Sequence, residues 1–376
     1  MSKNIVPRIR FNRFDSVWEE ARVADIVKIS AGGDVDKERL KQSGKYPVIA
    51  NALTNKGIVG FYDDYKVKAP AVTVTGRGDV GFAVARHENF TPVVRLLTLQ
   101  SENIDVDYLE NQINSMKILN ESTGVPQLTA PQLGNYKVYH PEIDEQTAIG
   151  SLFRTLDDLL ASYKDNLANY QFLKATMLSK MFPKAGQTVP EIRLDGFEGE
   201  WEEKQFSKLV KRVTQSSDSD SLPKVEFEDI ISGQGRLNKD ITSKFDNRKG
   251  IHFKPGYTLY GKLRPYLNNW LLPKFEGVAL GDFWVFDPNG NDSNFIYYLV
   301  QSNRYQKVAN DTSGTKMPRS DWKSVSSTIF AIPQTITEQQ AIGSYFSNLD
   351  SLINSHQEKI SQLETLKKKL LQDMFI

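Results

Sequence analysis

Basic side chains alternate with aromatic ones in two parts of the chain, and this combination suits contact with an anionic partner. The richer part carries Lys262, Arg264 and Tyr266 in one run, and Lys316 and Arg319 follow a second glycine turn. Lysine and arginine on loops bind phosphate oxygens, while Arg, Lys, Asn and Gln also reach base edges. The pattern therefore predicts a loop surface that binds nucleic acid.

A sparser set lies earlier, where Arg77 and Gln127 occupy comparable positions beside glycine turns. Both sets include further residues: Lys66, Lys68, Arg86, Arg95, Tyr62 and Tyr65 in the first, and Lys244, Arg248, Lys249, His252, Lys254, Tyr257 and Tyr260 in the second. A solvated charged face is the simpler interpretation of either set alone, but two sets at matching points of two related segments favour binding. We predict that the residues facing the nucleic acid are Arg77, Gln127, Lys262, Arg264, Tyr266, Lys316 and Arg319.

Motifs for catalysis are missing from the sequence. It contains no cysteine, and its four histidines are scattered, which argues against thiolate and paired-histidine metal sites. None of the GxxxxGKS/T, GxSxG, HExxH or NPPY patterns occurs. The carboxylate pairs Asp63-Asp64 and Asp157-Asp158 are typical of a turn and of a helix surface. We predict no catalytic residue, no metal and no cofactor bound by this chain.

The elements that must position these surfaces include one long stretch that occurs twice. Glu145–Phe182 recurs as Glu338–Phe375, 193 residues later (338 − 145), without a gap. Both copies space apolar residues with a period near 3.5, which two helices bury between them. The seam residues are Ile149, Phe153, Leu156 and Leu160 in the first copy, and Ile342, Phe346, Leu349 and Ile353 in the second. We predict two helices of about 38 residues, roughly 57 Å long, that pair antiparallel within one chain.

The ends and interruptions of these helices are also marked. Asp144 and Thr337 hold matching positions and are predicted to cap free N–H groups. Pro183 ends the first copy, because the residue before a proline avoids helical geometry. Lys174 and Lys367 interrupt the two seams at matching points, and we expect their ammonium groups to reach water.

A second repeat shows that the whole chain is one unit written twice. VPRIRF at Val6–Phe11 recurs as VPEIRL at Val189–Leu194, 183 residues later (189 − 6). A variable body rich in β-branched residues follows each copy, and Thr73–Arg77 is aligned with Thr258–Lys262. Short helices are predicted at Val106–Leu119 and Asn294–Val308. The predicted class is α/β (α+β), with bodies at 1–140 and 184–334 and long helices at 141–183 and 335–376.

Composition and geometry restrict the class of partner. No apolar run approaches the roughly 20 residues of a membrane helix, and the start lacks a signal-peptide core, so we expect a cytoplasmic protein. A net charge of +1 excludes a globally cationic protein but allows local basic surfaces. A stiff helix pair that joins two similar bodies would hold their binding surfaces at a fixed distance. DNA is the common ligand on which a fixed distance carries information, because sites repeat with the helical turn.

These features together resemble a known family, the specificity subunits of type I restriction–modification enzymes. The resemblance covers essentially the whole chain. It rests on the duplicated helix start at Pro141–Asp157 and Pro333–Asp350, on YGKLRPYLNN at Tyr260–Asn269, and on SGTKMPR at Ser313–Arg319. It implies two target recognition domains with twisted β-sheets, separated by two long antiparallel coiled-coil helices. The first body departs from the pattern, with TGRGDVGFA where the second has YGKLRPYLN.

The resemblance also implies the function. Each domain would read one half of a bipartite site in double-stranded DNA, and the helix pair would set the unread spacer. Two methyltransferase (M) subunits would dock on this chain, and restriction/translocase (R) subunits would join them in the bacterial cytoplasm. S-adenosylmethionine would belong to the M subunits, and ATP with Mg to the R subunits.

Two other classes of protein remain open from the residues alone. A structural coiled-coil adaptor would account for the long helices without any affinity for DNA. A single-chain DNA-binding nuclease would need methyltransferase and nuclease segments for which this chain has no room. Cleavage of DNA by the purified chain with magnesium would favour the nuclease.

Overall fold

A computed structural model describes residues 6–118, 126–241, 247–311 and 316–375. Contacts divide the chain into unit 1, Met1–Asp165 with Glu358–Ile376, and unit 2, Asn166–Gln357. Each unit therefore combines one body with a stretch of each long helix.

Unit 1 is built on a four-stranded antiparallel sheet. Its strands are β1 (Glu19–Arg22), β2 (Lys28–Ala31), β3 (Tyr46–Ile49), β4 (Ile58–Tyr62), β5 (Ala71–Val74), β6 (Ala83–Arg86), β7 (Thr91–Pro92), β8 (Leu97–Gln100) and β9 (Lys137–His140). Its helices are α1 (Val23–Ile26), α2 (Val106–Ser115), α3 (Ala130–Gly134) and the start of α4 (Ile143–Lys180). The main sheet has the order β2-β8-β5-β6, beside a β4-β3-β7 sheet and a β1-β9 pair. All four residues of β5 are buried: Val72 and Val74 belong to one apolar cluster, and Ala71 belongs to another.

Unit 2 repeats this plan with additional strands. Its strands are β10 (Glu202–Gln205), β11 (Lys211–Val213), β12 (Ser216–Ser217), β13 (Lys224–Val225), β14 (Ile230–Ile231), β15 (Arg236–Leu237), β16 (Gly250–Phe253), β17 (Thr258–Gly261), β18 (Trp270–Leu271), β19 (Gly277–Ala279), β20 (Phe283–Asp287) and β21 (Ile329–Ile332). Its helices are α5 (Phe206–Leu209), α6 (Ser293–Leu299), α7 (Asn303–Ala309), α8 (Trp322–Ser327) and the start of α9 (Ile336–Met374). The β11-β20-β17-β18 sheet matches the main sheet of unit 1, and β10-β21 matches β1-β9. The β12-β16-β19-β13 sheet completes the body.

Strand register corrects the alignment of the two bodies by one residue. Val72 lies opposite Leu99, and Thr258 lies opposite Phe286. Leu99 and Phe286 correspond, because each lies six residues before the aspartate that caps the next helix, Asp105 or Asp292. Val72 is therefore the counterpart of Thr258, and the pairing of Thr73–Arg77 with Thr258–Lys262 is wrong. The error matters because successive strand residues point to opposite faces of a sheet. The shared threonine-glycine pattern misled the alignment.

The long helices run antiparallel in each unit. In unit 1 the rings of Phe153 and Phe375 are 5.6 Å apart, and Lys164 Nζ lies 2.7 Å from Glu364. In unit 2 the rings of Tyr170 and His356 are 5.2 Å apart, and Lys174 Nζ lies 2.7 Å from Asp350. Residue numbers rise along α4 as they fall along α9 in both sets of contacts. All eight predicted seam residues are buried: Ile149, Phe153, Leu156, Leu160, Ile342, Phe346, Leu349 and Ile353.

The seam lysines differ from the prediction. Lys174 Nζ lies 2.7 Å from Asp350 in unit 2, and Lys367 pairs with Asp157 in unit 1. Only 12% of the Lys174 side chain and 25% of the Lys367 side chain are exposed. The ammonium groups therefore contact a carboxylate of the facing helix instead of reaching freely into water.

Helix boundaries also differ from the predicted ones. α4 and α9 begin one residue before Asp144 and Thr337, so neither residue caps its helix. Thr335 takes this role in unit 2, since its Oγ accepts the Glu338 N–H at 3.3 Å. The helix predicted at Asn294–Val308 is divided into α6 and α7, because the Ser302 side chain caps a new helix by accepting from Tyr305.

The helix predicted at Val106–Leu119 ends at Ser115, and Leu119 lies outside the described residues.

The repeated opening segments are tied to the helices by equivalent contacts. In unit 1 Arg10 forms a two-pronged ion pair with buried Glu145, at 2.7 and 2.6 Å. In unit 2 Arg193 forms the same pair with Glu338, at 2.7 and 2.8 Å. These arginines explain why the VPRIRF and VPEIRL motifs recur.

Candidate nucleic-acid interface

Three segments of unit 2 meet beyond the end of β17, and they hold most of the residues predicted to face DNA. Lys262 N–H donates to the Asp282 carbonyl at 2.9 Å, and Ser320 N–H donates to the Lys262 carbonyl at 2.9 Å. Arg264 N–H donates to the Pro318 carbonyl at 2.7 Å. Because backbone groups join the segments, their side chains are available for other contacts. We call residues 262–268, Asp282 and 316–320 the unit 2 loop cluster.

The charges of this cluster are partly paired. Asp282 Oδ2 accepts from Arg319 Nη2 at 3.0 Å and Nε at 3.3 Å, and its Oδ1 lies 3.6 Å from Lys262 Nζ. Arg264 and Lys316 are exposed and form no ion pair with any described residue. The cluster thus offers two unpaired cations and two cations that share one carboxylate.

Backbone strain marks the position of Arg264. Its φ of 48° lies in the left-handed region, where a side chain other than glycine costs about 1–2 kcal/mol. The following Pro265 disfavours right-handed helical geometry at Arg264, and Leu267 N–H closes the turn onto the Arg264 carbonyl at 2.9 Å. Tyr266, in the same turn, is 57% exposed. The turn therefore presents a guanidinium and a phenol to solvent on a fixed backbone.

Unit 1 builds the same arrangement from different side chains. Arg77 and Gln127 form an antiparallel bridge, Leu128 N–H donates to the Gly76 carbonyl at 3.0 Å, and Gly78 N–H donates to the Pro126 carbonyl at 3.3 Å. The structure therefore brings Arg77 and Gln127 together, and both are exposed.

A third segment of unit 1 contains Arg95, which has a φ of 68°. Asn51 links it to the first segment, because its side chain accepts from Gly76 N–H at 2.8 Å and donates to the Val94 carbonyl at 3.0 Å. A Cβ atom on Gly76 would lie 2.1 Å from the Arg95 carbonyl oxygen, so only glycine fits there. We call residues 76–78, 94–96 and 126–128 the unit 1 loop cluster.

Several aromatic and basic residues do not belong to these surfaces. Tyr260 and Tyr62 are buried, and the Tyr62 hydroxyl donates to the Asp36 carbonyl at 3.0 Å. Arg86 Nε donates to Thr73 Oγ1 at 2.9 Å, and burial lowers its pKa to about 10. Tyr62, Arg86 and Tyr260 therefore take part in packing and hydrogen bonding within the fold.

Other basic residues of the later set are engaged elsewhere. Arg248 pairs with Glu226 at 2.6 Å, and His252 pairs with Glu276 at 2.7 Å. Lys244 lies outside the described residues.

Sequence reasoning missed Asp282 and Asn51, which organise the two clusters. Asp282 follows Gly281, whose φ of 86° identifies a tight turn, so the Gly-Asp pair was the available signal. Asn51 gave no such signal, because its two partners are distant in sequence.

The described part of the chain lacks the features of a metal site and of a membrane span. Within 6–118, 126–241, 247–311 and 316–375, no group of three or more His, Asp or Glu residues is arranged to hold a metal ion. None of the helices in these ranges is both long enough and apolar enough to span a membrane.

Comparisons with known proteins agree with the duplicated architecture. The family model described as the type I restriction modification DNA specificity domain matches residues 15–169 and again 214–365. The Putative type I specificity subunit S.MpnORF507P of Mycoplasma pneumoniae is 28% identical over 144 residues, covering 37% of this chain and 39% of that protein. The chain thus spans less than half the length of this relative.

Two comparisons extend over nearly the whole chain. The Type I restriction enzyme EcoDI specificity subunit of Escherichia coli is 19% identical and covers 92% of this chain and 86% of its own length. The crystal structure of the type I restriction–modification S subunit from M. genitalium superposes with a TM-score of 0.70 at 14% identity and covers 99% of both chains. The last match shows a shared fold. The two family-model matches span most of the sequence, and the chain belongs to the type I restriction–modification DNA specificity family, of which it carries two domains.

Proposed function

We propose that this chain is the non-catalytic DNA-recognition subunit of a type I restriction–modification complex, in which each unit reads one half of a bipartite double-stranded site. The main support is the repetition of one loop cluster in both units on the same backbone plan. The side chains on this plan differ, with Arg77 and Gln127 in unit 1 and Lys262, Arg264 and Arg319 in unit 2. A common frame with different polar groups suits two readers of different sequences.

The helix pair is proposed to set the length of the unread spacer. α4 is one uninterrupted helix of 38 residues and α9 one of 39 residues, and each continues from one unit into the other. Neither helix contains an internal proline or a kink that would absorb a change in length. Helix length is therefore the quantity that should fix the number of unread base pairs.

Two methyltransferase subunits are the proposed partners of the helix surfaces. Leu159 in unit 1 and Leu352 in unit 2 are 193 residues apart and remain 43% and 41% exposed. Ile143 and Ile336 form a second such pair, at 46% and 44%. Apolar residues exposed at matching points suit two copies of one partner.

Catalysis is assigned to the partners in this proposal. S-adenosylmethionine would bind the methyltransferase subunits, and ATP with Mg would bind the restriction/translocase subunits. The complex would act in the bacterial cytoplasm, where its DNA substrate is found.

The test is to express the chain with its methyltransferase partner in a host that lacks other methylation, and to map the methylated bases. We expect one motif with two defined halves and an undefined spacer. Methylation without a two-part motif, or no salt-dependent binding of any duplex by the complex, would contradict the proposal. Cleavage of DNA by the purified chain alone with magnesium would instead support a nuclease.

A further inference from the structure

We propose that Asp282 determines the sequence preference of unit 2 by positioning Arg319 and Lys262, and that Arg95 occupies the equivalent specificity position in unit 1. This inference rests on the proposed DNA-recognition function. It identifies Asp282 and Arg95 as the residues that determine which bases each unit selects.

The contacts of Asp282 distinguish it from an ordinary surface carboxylate. Its backbone carbonyl accepts from Lys262 N–H, and its side chain faces both Lys262 and Arg319. One carboxylate oxygen receives Nε and Nη2 of Arg319, which fixes the plane of the guanidinium. Among the described residues, Nη1 and the second Nη2 proton of Arg319 have no partner, and 52% of its side chain is exposed. This leaves a planar donor edge of the kind that binds guanine O6 and N7.

The carboxylate also changes the electrostatics of the surface. It lies among the cations Lys262 and Arg319, with Arg264 and Lys316 on the adjoining segments, where a negative charge opposes the approach of phosphates. A residue that served only to attract DNA would not be acidic. An acidic residue at this point is explained by its orientation of the arginine.

The equivalent position in unit 1 has the opposite charge. Asp105 and Asp292 cap α2 and α6 in the same way, 187 residues apart (292 − 105), and the same spacing relates Leu99 to Phe286 in the main sheets. This spacing pairs Arg95 with Asp282. The bridge of Arg77 with Gln127 likewise corresponds to that of Leu263 with Arg319, so Gln127 replaces Arg319.

The two units therefore differ at three structurally matched points. Unit 2 has Lys262, Asp282 and Arg319, and unit 1 has Gly76, Arg95 and Gln127 at the same places. Both sets are held by backbone contacts near the ends of β5 and β17, so the side chains change while the frame is kept. A position that selects bases needs a side chain that differs between units on a backbone that is the same in both, and these three positions meet that requirement.

The experiment uses the complex of the chain with its methyltransferase subunits and the site identified by methylation mapping. Binding is measured by fluorescence anisotropy over a range of salt concentrations, on the cognate duplex and on duplexes in which one half-site is scrambled. The variants are Asp282→Asn, Asp282→Glu and Arg95→Ala. Glu276→Gln is the matched control, since Glu276 is a partly exposed acid of unit 2 that pairs with His252 away from the loop cluster.

For Asp282→Asn we expect discrimination of the unit 2 half-site to fall about tenfold or more. Affinity for scrambled DNA should stay equal or rise, because a negative charge has been removed. Asp282→Glu should restore part of the discrimination, and Glu276→Gln should change neither quantity. Arg95→Ala should alter base preference only in the other half-site.

Unchanged base preference in Asp282→Asn would overturn the assignment. An equal loss of affinity for cognate and scrambled duplexes would also overturn the assignment, because general damage to the loops has that effect. If Arg95→Ala loses the same affinity for every duplex, Arg95 contacts phosphates, and its assignment as a specificity position is overturned. If the wild-type complex recognises no two-part site, the proposed function itself fails. If the wild-type complex recognises such a site and the Asp282→Asn complex has the same base preference, only the role of Asp282 fails.

Discussion

Single residues of the unit 2 loop cluster should divide into those that read bases and those that contact phosphates. Lys316 is exposed and unpaired among the described residues, so Lys316→Ala should weaken binding to all duplexes alike and reduce the salt slope by about one. Arg264 forms no ion pair with another described residue and lies on a strained turn, so Arg264→Ala should cost about 1–3 kcal/mol of discrimination at one base. Titrations of each variant with cognate and scrambled duplexes separate the two effects. Equal behaviour of both variants would contradict the division.

A half-buried glutamate of unit 1 should make stability depend on pH. Burial of Glu110 on α2 raises its pKa to about 7 from 4.5, and Asp157 adds to the shift while Lys367 opposes it. Between these values the folded chain binds more protons than the unfolded chain, so stability falls as pH rises from about 4.5 to about 7 and is then level. The effect stays below about 4 kcal/mol, since the pKa rises by about 2.5 (7 − 4.5) and one pKa unit corresponds to roughly 1.4 kcal/mol.

Glu110→Gln should therefore raise the melting temperature at pH 8 and change it little at pH 4.5. Glu38→Gln, at an exposed position of the same unit, is the control and should show no such difference. A melting temperature of Glu110→Gln below that of wild type at pH 8 would show that the carboxylate has a stabilising partner.

At the scale of single residues, local signals pointed to loops that do come together. Arg77 and Gln127, both on loops marked by glycine, form a bridge in the structure, and their contact with DNA stays a prediction. Tyr260 was misplaced because composition does not tell which face of a strand a residue occupies, and it is buried. Asp282 was missed because its role depends on Lys262 and Arg319, which approach it only in the folded chain.

Among the elements, the long helices were the most predictable, because an apolar period near 3.5 sustained over 38 residues is produced by few structures besides paired helices. Their antiparallel direction followed from the presence of both copies in one chain. The pairing of Lys174 with Asp350 and of Lys367 with Asp157 was not foreseen, since it depends on the register between the helices. The one-residue error in aligning β5 with β17 arose because repeated glycines and threonines fit more than one register.

The buried ion pair at the start of α9 should be a major support of unit 2. Only 4% of the Glu338 side chain is exposed, and it receives Arg193 and the Trp201 indole N–H. Arg193→Ala leaves this carboxylate buried without its cation, which typically costs about 3–5 kcal/mol. Arg8→Ala is the control, because Arg8 is 84% exposed and lies 3.6 Å from Asp373, and its loss should cost less than about 1 kcal/mol.

Urea unfolding of both variants gives the comparison. A cost for Arg193→Ala no larger than that for Arg8→Ala would show that the Glu338 carboxyl is accommodated by protonation or by other contacts.

At the scale of the whole molecule, attraction to DNA must be local, because the chain has a net charge of only +1. The repeat places one loop cluster in each unit and passes both long helices from one unit to the other. This organisation was predictable from the two repeat spacings of 183 and 193 residues. The DNA sequence that is read could not be predicted, since base choice depends on side-chain geometry at the loop clusters.

The measurement that tests the account most directly is methylation mapping after both helices are lengthened together. Four residues are inserted after Ser162 in α4 and four after Leu363 in α9, positions that face each other next to the Lys164–Glu364 pair. Each insertion adds roughly 6 Å and about one turn, so the facing of side chains is nearly kept, and 6 Å is less than two base pairs of about 3.4 Å. An insertion of two residues in each helix is the control, since it turns the remainder of the helix by about 200° and should abolish methylation.

With four residues we predict unchanged half-sites and a spacer longer by one or two base pairs. Full activity with an unchanged spacer would contradict the account, because something other than helix length would then set the distance between the half-sites.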